Sequence, residues 1–333
     1  VPRRPDQLSF FEPDPPPPRA DATDLSAVHA EASAVAVRLP DGVHFGTSSW
    51  SFPGWRGIVY SRDASTTALA RDGLREYAAH PLLTTVGVDR SYYAPIPDED
   101  FRRYADQLPD GFRACIKAPA SVTSAATFDP GARTRSIPNP TFMSAERLVD
   151  ELLDPCARSF AAHAGPFVLE FPPSPRSAPV PPQAFLERLD ALLAALPRDF
   201  DYAVEIRERA LLTPEYARVL ARHRAGHVYN YWSFMPMPID QARVVSPDDL
   251  PFTVVRLLLK PGTTYEQQRE AFRPFNQIVE PDQPMRLQVT RLVRRAAAAR
   301  RRAYVLVNNK AEGSAPLTIG ALAEMLASHE GSA

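Results

Sequence analysis

From residue 43 onward the chain alternates short runs of β-branched and aromatic residues with longer stretches whose apolar positions recur at helical spacing. Eight runs read as strands: VHFGTSSW, TTVGVDRS, FRACIKAP, FVLEFPP, DYAVEIR, HVYNYW, FTVVRLLLK and AYVLVNN. Helical patterns such as LARDGLREYAAH, DEDFRRYADQL, PQAFLERLDALLAAL and PEYARVLARH separate them, and PLTIGALAEMLASH closes the series. Capping chemistry marks several starts: Asp98 precedes one helix, Ser144 with Glu146 opens another, and Thr213-Pro214 a third. Eight strands alternating with helices predict an α/β protein, a single (β/α)8 TIM-type barrel. A doubly wound open sheet is the alternative, but no GxGxxG or phosphate-binding loop opens the first crossover.

Alternation inside each strand assigns faces, because side chains point to opposite sides with a period of two. In FTVVRLLLK, Val255, Leu257 and Leu259 should face the helices, which puts Arg256 and Lys260 inside the barrel. The same parity turns Arg113, Cys115 and Lys117 inward, together with Asp89, Glu170, Glu205 and Arg207. Such a filling is far more polar than the Val/Ile/Leu layers usual in these barrels. One reading is structural, an ion network in which Glu170 and Glu205 pair with Arg113, Arg207 and Arg256. The other is functional, since Asp89, Lys117, Arg207, Lys260, Asn308, Asn309 and Lys310 all lie at strand C-termini, where barrel enzymes place their sites.

Composition sharpens this in three ways. With 38 basic and 39 acidic residues, the chain is not a globally basic nucleic-acid binder. Its two cysteines, Cys115 and Cys156, are too few for a disulfide framework or a cysteine-rich zinc site, so a reducing, cytoplasmic compartment is expected. No apolar run approaches the ~18 residues of a membrane helix. Only three lysines occur, Lys117, Lys260 and Lys310, and all three fall at the expected mouth of the barrel. Seven of the 36 prolines lie in the first twenty positions, so residues 1–38 are expected to be a disordered tail and 39–333 the barrel.

Two further clusters have competing readings. Trp50, Phe52, Trp55, Tyr60, Tyr92 and Tyr93 follow the first two strands and can stack on a base or sugar ring. For Trp55 and Tyr60 the favoured reading is plainer: they pack a long loop over the barrel end. The run RLQVTRLVRRAAAARRR holds seven arginines and no acid, yet it leads into the last strand and so sits opposite the expected site. A solvated basic helix end is its default reading, with nucleic-acid contact as the rival.

The segments GTSSWSFPGWRGIVY, VGVDRSYYAPIP, FRACIKAPASVTS, VLEFPPS, YAVEIRE, VVRLLLKPG and VNNKAEGSAP, in that order, resemble the YecE-like barrel family. That resemblance implies a barrel from Gly42 to the last helix, and a domain of unknown function. The family's recurrent polar positions correspond here to Asp89, Tyr93, Lys117, Glu205, Arg207, Arg256 and Asn309. This chain departs from the family's usual residues at four places: Gly87 for Glu, Asp89 for Asn, Ser124 for His and Glu208 for His. Losing two histidines and a carboxylate weakens a metal-cluster reading.

The residues then point to general acid/base chemistry, in a hydrolase or lyase, on an anionic, phosphate- or sugar-bearing ligand. Glu205, Asp89 and Lys117 are the catalytic candidates, and Arg207, Lys260, Arg256, Tyr93, Trp50, Asn309 and Lys310 the binding ones. No cofactor is expected; Mg²⁺ held through substrate phosphates is compatible but not indicated. The rival reading is a recruitment module without turnover. Its motif is Gln7-Leu8-Ser9-Phe10-Phe11, which resembles the peptide by which bacterial replication and repair proteins dock on the DNA sliding clamp.

Overall fold

A computed structural model describes residues 22–129 and 132–328. Eight parallel strands close into a barrel: β1 (Val43–Thr47), β2 (Leu83–Val88), β3 (Arg113–Lys117), β6 (Ala164–Phe171), β7 (Tyr202–Ile206), β8 (Gly226–Tyr231), β9 (Thr253–Leu257) and β10 (Ala303–Val307). Neighbours in sequence are neighbours in the barrel, and β10 pairs with β1 to shut it. All eight segments expected from the hydrophobic pattern are barrel strands. The other two, β4 (Ala126–Asp129) and β5 (Ala132–Pro138), form an antiparallel hairpin in the connection after β3.

Two apolar layers result from the strand alternation. Val204, Ile206, Val255 and Leu257 join the outer core between barrel and helices, with Leu189, Leu220, Leu292 and Ile319 from the helices. Cys115, Val168, Ala203, Val228, Val254, Tyr304 and Leu306 form a separate cluster inside the barrel. The register aligns Glu170 with Glu205, and Arg256 with both Asn230 and Leu306, so the inner residues stack in layers. The apolar layer lies low, and the charged one lies at the C-terminal ends of the strands.

Several expectations need correction. The ordered fold begins well before residue 39: Ser26–Ala36 is a helix that buries Ala32 and packs against the closing helix Ala315–Ala327. Its entry is held by a hydrogen bond from the Thr23 amide to the Ser61 carbonyl. Residues 27–39 are rich in alanine and valine but only weakly amphipathic, so the pattern did not mark a helix after the proline-rich segment. Gln7, Leu8, Phe10 and Phe11 lie outside the described residues. Asp98 is the first residue of its helix rather than the cap, and its carboxylate takes two hydrogen bonds from Arg158. Ser144 and Thr213 do cap, each accepting from the amide three residues on. The helix Tyr265–Phe272, closed by a Thr264–Gln267 capping box, was not legible in the pattern.

The arginine-rich run forms most of the helix Gln283–Ala298 and the turn after it. Arg286, Arg295 and Arg302 pair with Glu312, Asp248 and Asp201, while Arg294 and Arg301 bond the carbonyls of Met325 and Pro247. Arg302 and Asp201 directly precede β10 and β7, which puts the end of the cluster at the bottom of the barrel, away from the mouth. Three of its seven arginines are thus paired with acids within the fold.

β1 and β2 approach each other unusually closely, at a shift in register between Phe45 and Gly46. A Cβ built on Gly46 would lie 2.0 Å from the Thr85 carbonyl oxygen, a backbone atom that cannot swing aside. Gly46→Ala is therefore expected to cost about 1–3 kcal/mol, the usual penalty for overpacking. Urea unfolding measures this; an unchanged midpoint would mean that the two strands part readily.

Candidate functional site

Six charged side chains meet at the top of the barrel. Arg256, on β9, is buried and donates from Nη1 to Glu205 Oε2 (2.5 Å) and Glu170 Oε2 (3.2 Å). Its Nη2 donates to both oxygens of Asp89, at 2.9 and 3.1 Å. Arg207 reaches Glu205 through Nε (2.9 Å) and Glu170 through Nη2 (2.6 Å), with its guanidinium 4.3 Å from the centre of the Trp232 ring. Lys117 Nζ is 2.8 Å from Glu170 Oε2 and 3.5 Å from the centre of the Tyr92 ring. Three cations thus face three carboxylates, and the network is neutral as a unit.

The expected ion network is therefore present, with one exchange of partner. Arg113 takes no part in it: it is the first residue of β3 and so lies at the end of the strand remote from Lys117, which occupies its place. Burial by itself raises the Glu170 carboxyl, but Arg207, Lys117 and Arg256 override that and hold it well below the usual carboxylate range. For Lys117 burial wins, and its pKa is lowered even though Glu170 and Asp89 oppose the shift.

The strand alternation stops short of Lys260. The amides of Leu258 and Leu259 both bond the Tyr231 carbonyl, so the chain leaves the ladder after Leu257 and the parity is lost. Lys260 is 37% exposed on the rim, with Nζ 3.3 Å from Glu280. It does not point into the barrel, and an anion seat between Lys117 and Lys260 is not supported, because each ammonium already faces its own carboxylate.

Beside the network opens a cavity of about 360 Å³. One wall is the segment after β1, Ser48 to Phe52; another carries Asp89, Arg90 and Tyr93 after β2; Asn308 contributes from the end of β10. The outer wall brings Arg71, Asp100, Arg103 and Tyr104 from the helices Thr66–Asp72 and Asp98–Ala105. Of the network, only Asp89 lines the cavity, and its side chain is 33% exposed. Asp100 accepts from Arg90 at 2.7 Å and from Arg103 at 2.8 Å. Arg90, Arg103 and Asp100 carried no sequence signal beyond following the second strand.

The expected site residues thus divide by depth. Asp89, Tyr93 and Trp50 line the cavity; Lys117, Glu205, Arg207 and Arg256 lie in the network beneath. Trp50 is also anchored, its indole donating to the Leu69 carbonyl at 2.9 Å. Asn309 proves to be a clasp, since its Oδ1 accepts from the Trp55 indole (3.1 Å) and the Ala315 amide (2.8 Å). Trp55 and Tyr60 are fully buried and stacked, and the Tyr60 hydroxyl donates to the Trp50 carbonyl, as a packed loop requires. Lys310 is buried with Nζ 4.1 Å from the centre of the Tyr265 ring. Burial, with Arg269 and Arg273 nearby, pulls its pKa down to about 7.

Three of the four positions at which the resemblance implies a different residue have these surroundings. A Cβ on Gly87 would meet the Ser48 carbonyl oxygen at 2.9 Å, so the space for a glutamate is taken by backbone. Ser124 pairs with the Tyr92 hydroxyl at 3.2 Å, and Glu208 accepts from the Ser174 amide at 3.4 Å. Among the described residues no group of three or more His, Cys, Asp and Glu is arranged to hold a metal ion. No helix there is long and apolar enough to cross a membrane.

Two stability predictions follow from the buried charges. Glu205→Ala leaves Arg256 and Arg207 short of a fully buried carboxylate and is expected to cost about 3–5 kcal/mol in urea unfolding; a loss under 1 kcal/mol would contradict the network's role. For Lys310 the folded-state pKa of about 7 lies below the ordinary lysine value of 10.5. The unfolded chain therefore binds more protons above pH ~7, and stability rises with pH up to about 10. Wild type should gain stability relative to Lys310→Met between about pH 7 and 9, and parallel profiles would contradict this.

Comparison with known structures agrees with the geometry. A DUF72 family protein from Thermotoga maritima matches with a TM-score of 0.58 at 19% identity, covering 85% of this chain and 98% of that one. One from Enterococcus faecalis matches at 0.54 and 15% identity, covering 85% of this chain and 97% of its own. At such identities the likeness shows the fold alone. No curated protein matches the chain. The family model "Protein of unknown function DUF72" matches residues 44–333, and the chain belongs to that family, in keeping with the YecE-like resemblance of its motifs.

Proposed function

We propose that the cavity binds a small anionic, hydroxylated ligand and that Asp89 serves there as the general acid/base. The observation that carries this reading is the position of Asp89 between two environments. One side of its carboxylate is held by the Arg256 guanidinium, and the other opens on the cavity. A carboxylate fixed from behind in this way can take a proton from a ligand hydroxyl without losing its place.

Charge selects the ligand class. The six-residue network beneath is neutral, so Asp89 does not repel an anion as a lone carboxylate would. On the outer wall three arginines, Arg71, Arg90 and Arg103, meet two carboxylates, Asp72 and Asp100, which leaves one positive charge in excess. The aromatic faces of Trp50, Phe52 and Tyr93 suit a ring, and Ser48, Ser49 and Asn308 offer hydrogen bonds. A sugar phosphate or nucleotide matches this combination.

Within this reading Lys117, Glu170, Glu205, Arg207 and Arg256 are positioning residues, since none of them lines the cavity. The test is a thermal-shift panel of monosaccharides, their phosphate esters and nucleotides, followed by turnover assays on the ligands that bind. Phosphorylated probes are expected to raise Tm more than their neutral parents. Asp89→Asn should fold, yet lower any turnover by about 10²-fold or more. If no phosphorylated probe shifts the wild type, or if Asp89→Asn turns over normally, the proposal fails.

A further inference from the structure

Four aromatic side chains line the cavity, and their surroundings differ. The Trp50 and Tyr104 rings pack edge-on, 5.2 Å between centres, and both residues are buried. Phe52 is half-buried and packs against Trp55 at 4.9 Å and Phe275 at 5.8 Å. Tyr93 is 55% exposed, and it is the one exposed large apolar side chain among the residues lining the cavity.

The Tyr93 ring is nonetheless held from behind. Tyr92 meets it nearly perpendicularly, at 85° and 5.2 Å, so this contact takes up at most one face of Tyr93. Tyr92 in turn lies 3.5 Å from Lys117 Nζ, and its hydroxyl pairs with Ser124 at 3.2 Å. The backbone is fixed by the turn after Asp89, where the Tyr92 and Tyr93 amides bond the Asp89 and Arg90 carbonyls. Ser91, within that turn, donates to the Lys117 carbonyl at 2.6 Å. A ring supported in this way and open on the other side gives up little conformational freedom when a ligand stacks on it.

We propose that the open face of Tyr93 receives the base of a nucleoside monophosphate. This rests on the anionic-ligand reading and narrows it. The single turn after β2 brings three kinds of side chain to one cavity: the Asp89 carboxylate, the Arg90 guanidinium and the Tyr93 ring. A nucleoside monophosphate carries the matching parts in one molecule, namely sugar hydroxyls, a phosphate and a flat base. A plain sugar phosphate has the first two and no π surface to stack. Stacking of a base on an aromatic side chain discriminates between the two ligands by about tenfold in affinity.

The probes are adenosine 5′-monophosphate and ribose 5-phosphate, which share the sugar and the phosphate, titrated calorimetrically into the full chain. Wild type is expected to bind the nucleotide about tenfold more tightly. Tyr93→Phe keeps the ring and should keep that ratio. Tyr93→Leu keeps apolar bulk against Tyr92 without the flat face, so it should fold, retain its affinity for ribose 5-phosphate and bring the ratio close to one. If wild type binds both probes equally, if Tyr93→Leu keeps the ratio, or if Tyr93→Phe loses it, the role assigned to Tyr93 is overturned while the anionic-ligand reading stands. Binding of neither probe to wild type overturns the narrowing to nucleotides. If inorganic phosphate and other sugar phosphates also fail to bind, the anionic-ligand reading falls with it.

Discussion

A guanidinium buried in the upper barrel needs carboxylates around it, and Arg256 imposes that need on the rest of the structure. Isolated in a dry interior its charge would cost several kcal/mol or more, so it survives only if matched and hydrogen-bonded. Asp89 just after β2, Glu170 on β6 and Glu205 on β7 supply the match. Those carboxylates in turn recruit Arg207 and Lys117, until charge balances at three against three. The eight strands and their register exist independently of this, but the shape of the barrel mouth does not.

This arrangement separates stability from chemistry by depth. Both oxygens of Glu205, and Oε2 of Glu170, are committed to cations, and neither residue lines the cavity. Asp89 belongs to the same network, yet it is the member at the rim of β2, where the sheet ends and solvent space begins. A carboxylate gains a defined direction from such a partner and keeps a free face. The loop after β1 completes the wall for a separate reason: Trp55 and Tyr60 are buried beneath it, and Asn309 ties it to the end of β10. The rigidity of the wall thus comes from apolar packing and that of its floor from ion pairing.

The long run of arginines near the C-terminus illustrates how charge in sequence differs from charge in space. Seven arginines without an acid suggest a phosphate-binding surface, but three of them are met by acids from remote segments: Asp201, Asp248 and Glu312. Glu312 is itself fully buried, so its pairing with Arg286 belongs to the packing of the barrel's last turn rather than to its surface.

Periodicity alone was enough for the architecture. A period of two marked the barrel strands and sorted Arg256, Glu205 and Lys117 inward from Val255 and Leu257 outward, because every residue of a regular strand obeys the same alternation. That argument ends where the ladder ends. Lys260 lies three residues past β9, after two successive amides share one carbonyl, and it turns to the rim. The helix Ser26–Ala36 was hidden by the prolines before it, since a short, weakly amphipathic stretch acquires stability only from the closing helix it packs against. Motif order identified the family. Which polar residues share a cavity was decided by the tertiary fold, which brings Arg90 and Arg103 against Asp100, sets Asn308 in the lining of the same cavity as Asp89, and leaves Lys117 sealed below. Sequence specifies the chemistry of a side chain and the face it takes on a regular element; its depth and its partners come from segments far away in the chain, and only closure of the barrel brings them together.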